Sequence, residues 1–294
     1  TALPNAEIEE LAIGSHKLLK RPNGFEPRDP LEHFLHHPQA FSQGGERSVL
    51  ALNERRALDK RHWLAAHVAH GATGYSADHV KRACADTVID TEHVRLILLD
   101  TNHPHGHFEG SLGQAQLAWL EERLVEVAQE PGRLAVLASH HGSASLTNTL
   151  GDDPERVHAL ALTSVALRYP CVVAWLVGHR HVHRVRAHGA ADQGLTGRAR
   201  RGGAKKASAP AARGFWEITT GAIIDWPCQT RAVEIVRHAT GEIELVCTLL
   251  DHSAAPDSLA GLHQSLAYRF AAAAAPHMQG TAEDGNVRLF LPAL

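Results

Sequence analysis

Apolar positions along the chain repeat with two periods. From Gln114 to Val127, the residues Leu117, Leu120, Leu124 and Val127 recur at i, i+3, i+7 and i+10, which places them on one side of an amphipathic helix. Leu58 to Val68 carries helical spacing through Leu58, Trp63, Leu64 and His67 and stops at Gly71, a residue suited to a helix C-terminus. Strands are expected from Asp86 to Asp90 and from His93 to Leu99. The second ends in the continuous apolar run Ile97, Leu98, Leu99, which suits a strand covered on both faces. Strand Leu134 to Ala138, helix Pro154 to Arg168 and strand Val172 to Val177 continue the alternation, so the chain reads as a layered α/β sheet with helices packed outside. After Gly214 the pattern turns strand-rich, with Phe215 to Thr220, then Ala232 to Arg237 and Ile243 to Leu249 joined across Thr240-Gly241 as a hairpin. A helix from Leu259 to Ala274 and a strand from Val287 to Leu291 follow.

Two stretches lack this patterning. A short helix near Ala6 to Ala12 leads into a Pro/Gly/His-rich segment from Arg21 to Gly45 that reads as irregular covering loop. Between Gly189 and Arg213 there are almost no large apolar residues to offset the entropy of ordering, so 189–213 reads as a flexible basic loop. Its Arg198, Arg200, Arg201, Lys205 and Lys206 could steer an anion, but such a run is ordinarily a solvated linker. The whole chain, 1–294, reads as a single domain, with 189–213 as a loop within it.

Composition narrows the classes further. With 44% hydrophobic and 21% charged residues among 294, wholesale disorder is excluded. The longest apolar runs fall far short of the ~18 residues of a membrane-spanning helix. A net charge of −3 offers no global field for a polyanion, so no nucleic-acid partner is indicated. Cys84, Cys171, Cys228 and Cys247 form no C-x-x-C pair and read as buried thiols. The single methionine, Met278, means that residue 1 is not a translational start, so the chain reads as a processed product or a fragment and its compartment is open.

The 23 histidines change the picture most, because imidazole is the commonest metal ligand. In Trp175-Leu-Val-Gly178-His179-Arg180-His181 an apolar strand runs into a glycine and then alternate histidines, which can reach two ions on a shared site. His183 extends the alternation toward the next strand and reads as structural, or as an outer partner orienting a ligand. A second strand ends in Ser139-His140-His141-Gly142, delivering imidazoles to the same sheet edge. A third cluster, Asp100-Thr101-Asn102-His103-Pro104-His105-Gly106-His107, also follows a strand. There Asp100 and His103 are candidates for ligands, orienting partners or substrate contacts, while His105 and His107 read as exposed loop.

Taken in order, Leu99-Asp100-Thr101, Gly110-Ser111-Leu112 with the Gln114 to Trp119 helix, Ser139-His140-His141, Gly178-His179-Arg180-His181, Gly214-Phe-Trp-Glu-Ile-Thr-Thr220 and Ile224-Asp225-Trp226-Pro227 carry a family likeness. The chain resembles the C-terminal portion of a calcineurin-like metallophosphoesterase, close to an actinobacterial branch. That resemblance implies a four-layer α/β/β/α sandwich, incomplete at the N-terminus, and two divalent ions of the Mn, Fe, Zn or Co type. Carried over by motif, His140 and His179 would bind one ion and His181 the other, with His141, Asp100, His103, Arg180, His183 and Asp225 as outer or substrate-side groups. The implied reaction is hydrolysis of phosphate mono- or diesters by a water activated between the ions.

The family's Asp-x-His, Gly-Asp and Gly-Asn-His-Asp motifs do not occur. Gly151-Asp152 falls after Ser-His-His, in the wrong order, and Ile223 stands where the family leads one to expect a histidine. The resemblance thus implies that Thr1 begins just downstream of Gly-Asn-His-Asp, that the chain alone is poorly active, and that it self-associates through an open apolar face. Two rival readings stand beside the enzyme. One is a non-catalytic half that binds metal or a partner chain; the other is a histidine-rich metal-binding module.

Overall fold

The structure is a computed structural model and describes residues 59–71, 74–189, 214–274 and 280–293. The helix expected near Ala6, the covering stretch from Arg21 to Gly45 and the 189–213 loop beyond Gly189 lie outside the described residues. In chain order the elements are α1 (Lys60–Ala69), α2 (Ala77–Arg82), β1 (Thr87–Asp90), β2 (Val94–Leu99), β3 (Leu112–Gly113), α3 (Gln114–Gln129), β4 (Leu134–Ser139), β5 (Arg156–Val157), α4 (Ala159–Leu167), β6 (Val172–Val177), β7 (Arg184–His188), β8 (Phe215–Thr219), β9 (Thr230–Arg237), β10 (Ile243–Leu250), α5 (Leu259–Ala274) and β11 (Val287–Leu291).

The main sheet is mixed and runs β1-β2-β4-β6-β8-β7. Its four inner strands are parallel, and β1 and β7 pair antiparallel at the edges. Parallel neighbours need crossovers, which α3 supplies between β2 and β4 and α4 between β4 and β6. A second, antiparallel sheet is ordered β11-β10-β9.

Side-chain alternation divides the interior into two cores that share the main sheet. Toward the helices, Ile97, Leu99, Ala135, Leu137 and Trp175 pack against Leu120, Leu124 and Val127 of α3. Full burial of each such leucine contributes about 1.5–3 kcal/mol. Toward the small sheet, Leu134, Val136, Val173 and Ile218 meet Ile243, Leu245, Leu289 and Leu291. The continuous apolar run ending β2 is thus explained, since its residues are needed on both faces.

A bulge adjusts the register. Ala135 pairs with Val172 but Val136 with Ala174, so β6 carries one extra residue before Trp175 turns back toward the helices. The described layers are therefore helices, a six-stranded sheet and a three-stranded sheet. α5 lies instead against the loop after β8, where His263 Nε2 sits 3.0 Å from Ile224 O and Trp226 meets Tyr268 edge to face.

The helix expected from Pro154 to Arg168 is shorter. Arg156 and Val157 leave it as β5, which pairs with β3, and α4 begins only at Ala159. Long-range bonds decide this: the Gln114 N–H donates to Glu155 O at 2.8 Å, and the Arg156 guanidinium donates to Ser111 Oγ and O at 2.9 and 2.8 Å. No disulfide joins the four cysteines. Among the described residues, no helix is long and apolar enough to cross a membrane.

Candidate metal centre

Strand register assembles this site. Ser139 pairs with Val177, and the Gly178 N–H donates to His140 O at 3.0 Å, so β4 and β6 release their next residues side by side. Leu99 pairs with Ser139, which brings Asp100 and Thr101 off β2 beside them. On the other flank Val177 pairs with Thr219, and the loop after β8 returns through Asp225. The chemistry sits at the carboxyl ends of parallel strands, where such sheets open a crevice.

One ring nitrogen from each of His140, His141 and His179 lies within 4.8 Å of the others. His140 Nε2 and His179 Nδ1 are 3.2 Å apart. Two nitrogens each about 2.05 Å from a tetrahedral Zn²⁺ would sit about 3.3 Å apart, so the pair already has ligand spacing. Burial pushes His179 down to about 3, with its neighbours His141, His140, Arg180 and His181 adding to the effect. Loss of solvation among the clustered rings also lowers His141, which is buried, and His140, which keeps an exposed edge. These rings are neutral near pH 7, the form that binds cations.

The backbone strain is not at the glycine. A Cβ on Gly178 would meet His140 only at 3.8 Å, whereas the left-handed conformation falls on His179 and His181, at φ 66° and 51°. Such residues cost about 1 kcal/mol or more each and cluster at functional sites.

His141 spends both ring nitrogens internally. Its Nε2 lies 3.0 Å from Phe108 O, and because a carbonyl only accepts, the proton sits on Nε2. Its Nδ1 then accepts from the Thr101 hydroxyl at 2.8 Å, while Thr101 Oγ1 accepts the His141 backbone N–H at 3.3 Å. His141 therefore forms the wall behind His140 and His179. Gly110 permits this, since a Cβ there would lie 2.4 Å from the His141 ring.

His181 is not one of the three clustered rings, though it lies near enough to act electrostatically on His140 and His179. Its own Nδ1 lies 2.5 Å from Asp225 Oδ2. Arg180 is pinned at the rim, donating to Glu109 Oε1 at 3.0 Å and Ala144 O at 2.8 Å. Asp100 is turned away from the rings: its carboxylate pairs with Lys60 at 2.7 Å and accepts the N–H groups of Ala85 and Asn102. His103 is buried, accepts the His105 N–H through Nδ1, and is pushed down to about 4, chiefly by burial. His183 is also buried and accepts the Gly221 N–H through Nδ1 at 3.1 Å. Ile223 is exposed near Asp225 in sequence and supplies no imidazole.

Some contributors escape a motif-based reading. Glu109 has only its place before Gly110-Ser111 to mark it, yet its Oε2 lies 3.7 Å from His179 Nε2. Burial pushes its carboxyl up and Arg180 pulls it back. Glu217 and His188 form a buried pair at 2.6 Å, and Glu217 Oε1 accepts the Ser143 N–H at 3.0 Å, just beyond His140 and His141. Glu217 pairs in β8 with Trp175, so only the folded sheet brings it under this loop.

No protein-family model matches the chain, and no curated protein matches it. Among solved structures, the chain is similar to a dimetal phosphatase from Danio rerio, at 14% identity and a TM-score of 0.40, over 64% of this chain and 67% of that one.

Proposed function

We propose that this chain carries the imidazole side of a metal-dependent phosphoesterase centre that hydrolyses phosphate mono- or diesters. The carrying observation is the meeting of His140 and His179 at ligand spacing on the carboxyl edge of parallel strands. In this reading the helix–sheet–sheet layers are three of the four in a metallophosphoesterase-type α/β/β/α sandwich. The order of sequence landmarks supports it as well.

The donors present fit a divalent cation of the Mn, Fe, Zn or Co type: two neutral imidazoles at His140 and His179, backed by His141. Such an ion, when bound, supplies Lewis acidity toward a phosphoryl oxygen and lowers the pKa of water. His181 would serve a second ion or the substrate side. Because Asp225 engages its Nδ1, proton exchange at that ring is confined to Nε2. Arg180, half exposed at the rim, places a cation where a phosphate ester would approach.

A second reading is favoured by charge. Two dications about 3.5 Å apart repel by about 20 kcal/mol at an effective dielectric of 20, unless anionic ligands bridge them. Among the described residues, the carboxylates that reach these rings are Glu109 and Asp225, and each is already paired, with Arg180 and His181. Among the described residues, the groups at this site therefore suit one ion, as in a metal-binding half without turnover.

Equilibrium dialysis with Mn²⁺, Co²⁺ and Zn²⁺, together with turnover of aryl phosphate mono- and diesters, separates the two. Cation-dependent turnover that a chelator abolishes, and that falls at least about 100-fold in His140→Ala and His179→Ala, is expected for the enzyme. Cation uptake lost in both variants but without turnover supports the metal-binding half. Turnover indifferent to chelator and to both substitutions ends the enzyme reading.

A further inference from the structure

Glu109 sits in the turn between β2 and β3, and several backbone bonds fix it there. The Gly110 N–H donates to Ser145 O at 2.8 Å, Ser111 N–H to Thr101 O at 3.1 Å, and Asn148 Nδ2 to Glu109 O at 2.8 Å. The side chain is only 14% exposed and lies between Arg180 and His179. Arg180 satisfies Oε1 at 3.0 Å. Oε2 is enclosed and accepts no hydrogen bond, a costly state for a carboxylate oxygen.

Across the turn from that oxygen stands the neutral His179 ring, whose Nε2 lies 3.7 Å away. This is within ion-pair reach but longer than a formed hydrogen bond, a looseness common in sites without their ligand. The same ring turns its Nδ1 toward His140 Nε2 at 3.2 Å. The two nitrogens of His179 therefore face two different neighbours, a carboxylate on one side and a second imidazole on the other. A neutral imidazole carries one proton and one lone pair, so whichever neighbour holds the proton decides where the lone pair points.

We propose that Glu109 is the carboxylate that orients His179, holding its proton on Nε2 so that the Nδ1 lone pair is presented, with His140 Nε2, to one divalent cation. The inference rests on the metal-binding reading above and deepens it by naming the residue that sets the tautomer. Arg180 has a consequent role: by occupying Oε1 it leaves Oε2 as the oxygen turned to His179. Glu109 also brings negative charge next to a donor set that is otherwise neutral.

The test uses the full chain. Histidine ¹⁵N–¹H correlation spectra of the metal-free wild type should show His179 protonated on Nε2, and titration with Co²⁺ should give one bound ion per chain with visible d–d absorption. Glu109→Gln and Glu109→Leu should each bind Co²⁺ about 10–100-fold more weakly, with circular dichroism unchanged. In Glu109→Leu the His179 proton should shift toward Nδ1. A wild-type His179 protonated on Nδ1, or Co²⁺ affinity unchanged in both variants, overturns the inference. The first of these needs no variant to fold. A wild-type chain that binds no Co²⁺ instead overturns the metal-binding reading itself, and is told apart because it fails before any substitution is made.

Discussion

At the scale of single residues, the most consequential groups outside the ring cluster are the buried Glu217 and His188. Burial raises the Glu217 carboxyl, but hydrogen bonds from His188 and Ser143 outweigh this and hold it below its ordinary value of 4.5. A carboxyl depressed in the folded state binds fewer protons there than in the unfolded chain. Its stabilisation is therefore present above about pH 4.5 and is lost as the pH falls below that toward the folded value. Glu217→Gln is expected to cost about 2–3 kcal/mol at pH 7, the worth of charge-assisted hydrogen bonds, and to flatten the acid limb of stability. Urea unfolding at pH 7 and at pH 4 measures both; an equal loss at the two pH values would show that the charge is immaterial. The sequence placed Glu217 in a landmark stretch but gave no sign of its pairing with His188. Glu217 is one acidic residue in an apolar strand, and its partner lies 29 positions away.

Among elements, the β4 and β6 ends act as one unit. The Trp175 indole N–H donates to Ser139 Oγ at 2.9 Å, and Ser139 Oγ donates in turn to His141 O at 2.7 Å. A fully buried side chain of β6 thereby pins the turn that leaves β4. Trp175→Phe keeps an aromatic ring but removes the donor and leaves a void, and is expected to cost about 2 kcal/mol. The same variant should weaken cation binding, because the His140-His141 turn loses a tether. Denaturant unfolding and cation titration check the two effects separately, and unchanged cation affinity in a destabilised protein would confine Trp175 to the core. The strand-then-histidine motifs made both segments visible beforehand, and the α3 periodicity likewise named Leu120, Leu124 and Val127, all buried. The expected Pro154 to Arg168 helix failed at its first turn because Ser111 and Gln114, 40 or more positions away, claimed that backbone and the Arg156 side chain.

For the whole molecule, surface apolarity is the feature with a consequence. Leu259, Leu262 and Leu266 of α5 are exposed and recur at i, i+3 and i+7, so they form one stripe. Val236 and Phe290 are exposed on the small sheet. Apolar surface of this kind favours association. Light scattering on the wild type is expected to show concentration-dependent self-association that Leu262→Glu with Leu266→Glu reduces. A monomer at all concentrations would remove this expectation.

Local pattern was enough to set the order of the longer elements, though not the short α2, β3 and β5, because helical and strand periods are properties of neighbouring residues and the two-faced burial of β2 demands an unbroken apolar run. It also placed the histidines at strand ends, since a buried strand followed by polar residues must surface there. Tertiary structure alone decided which rings meet. The parallel register of β4 and β6 put His140 beside His179, Thr101 consumed His141, Asp225 engaged His181, and Glu109 arrived from the turn before β3. Those pairings join residues 39 to 70 positions apart, and no short-range rule reaches that far.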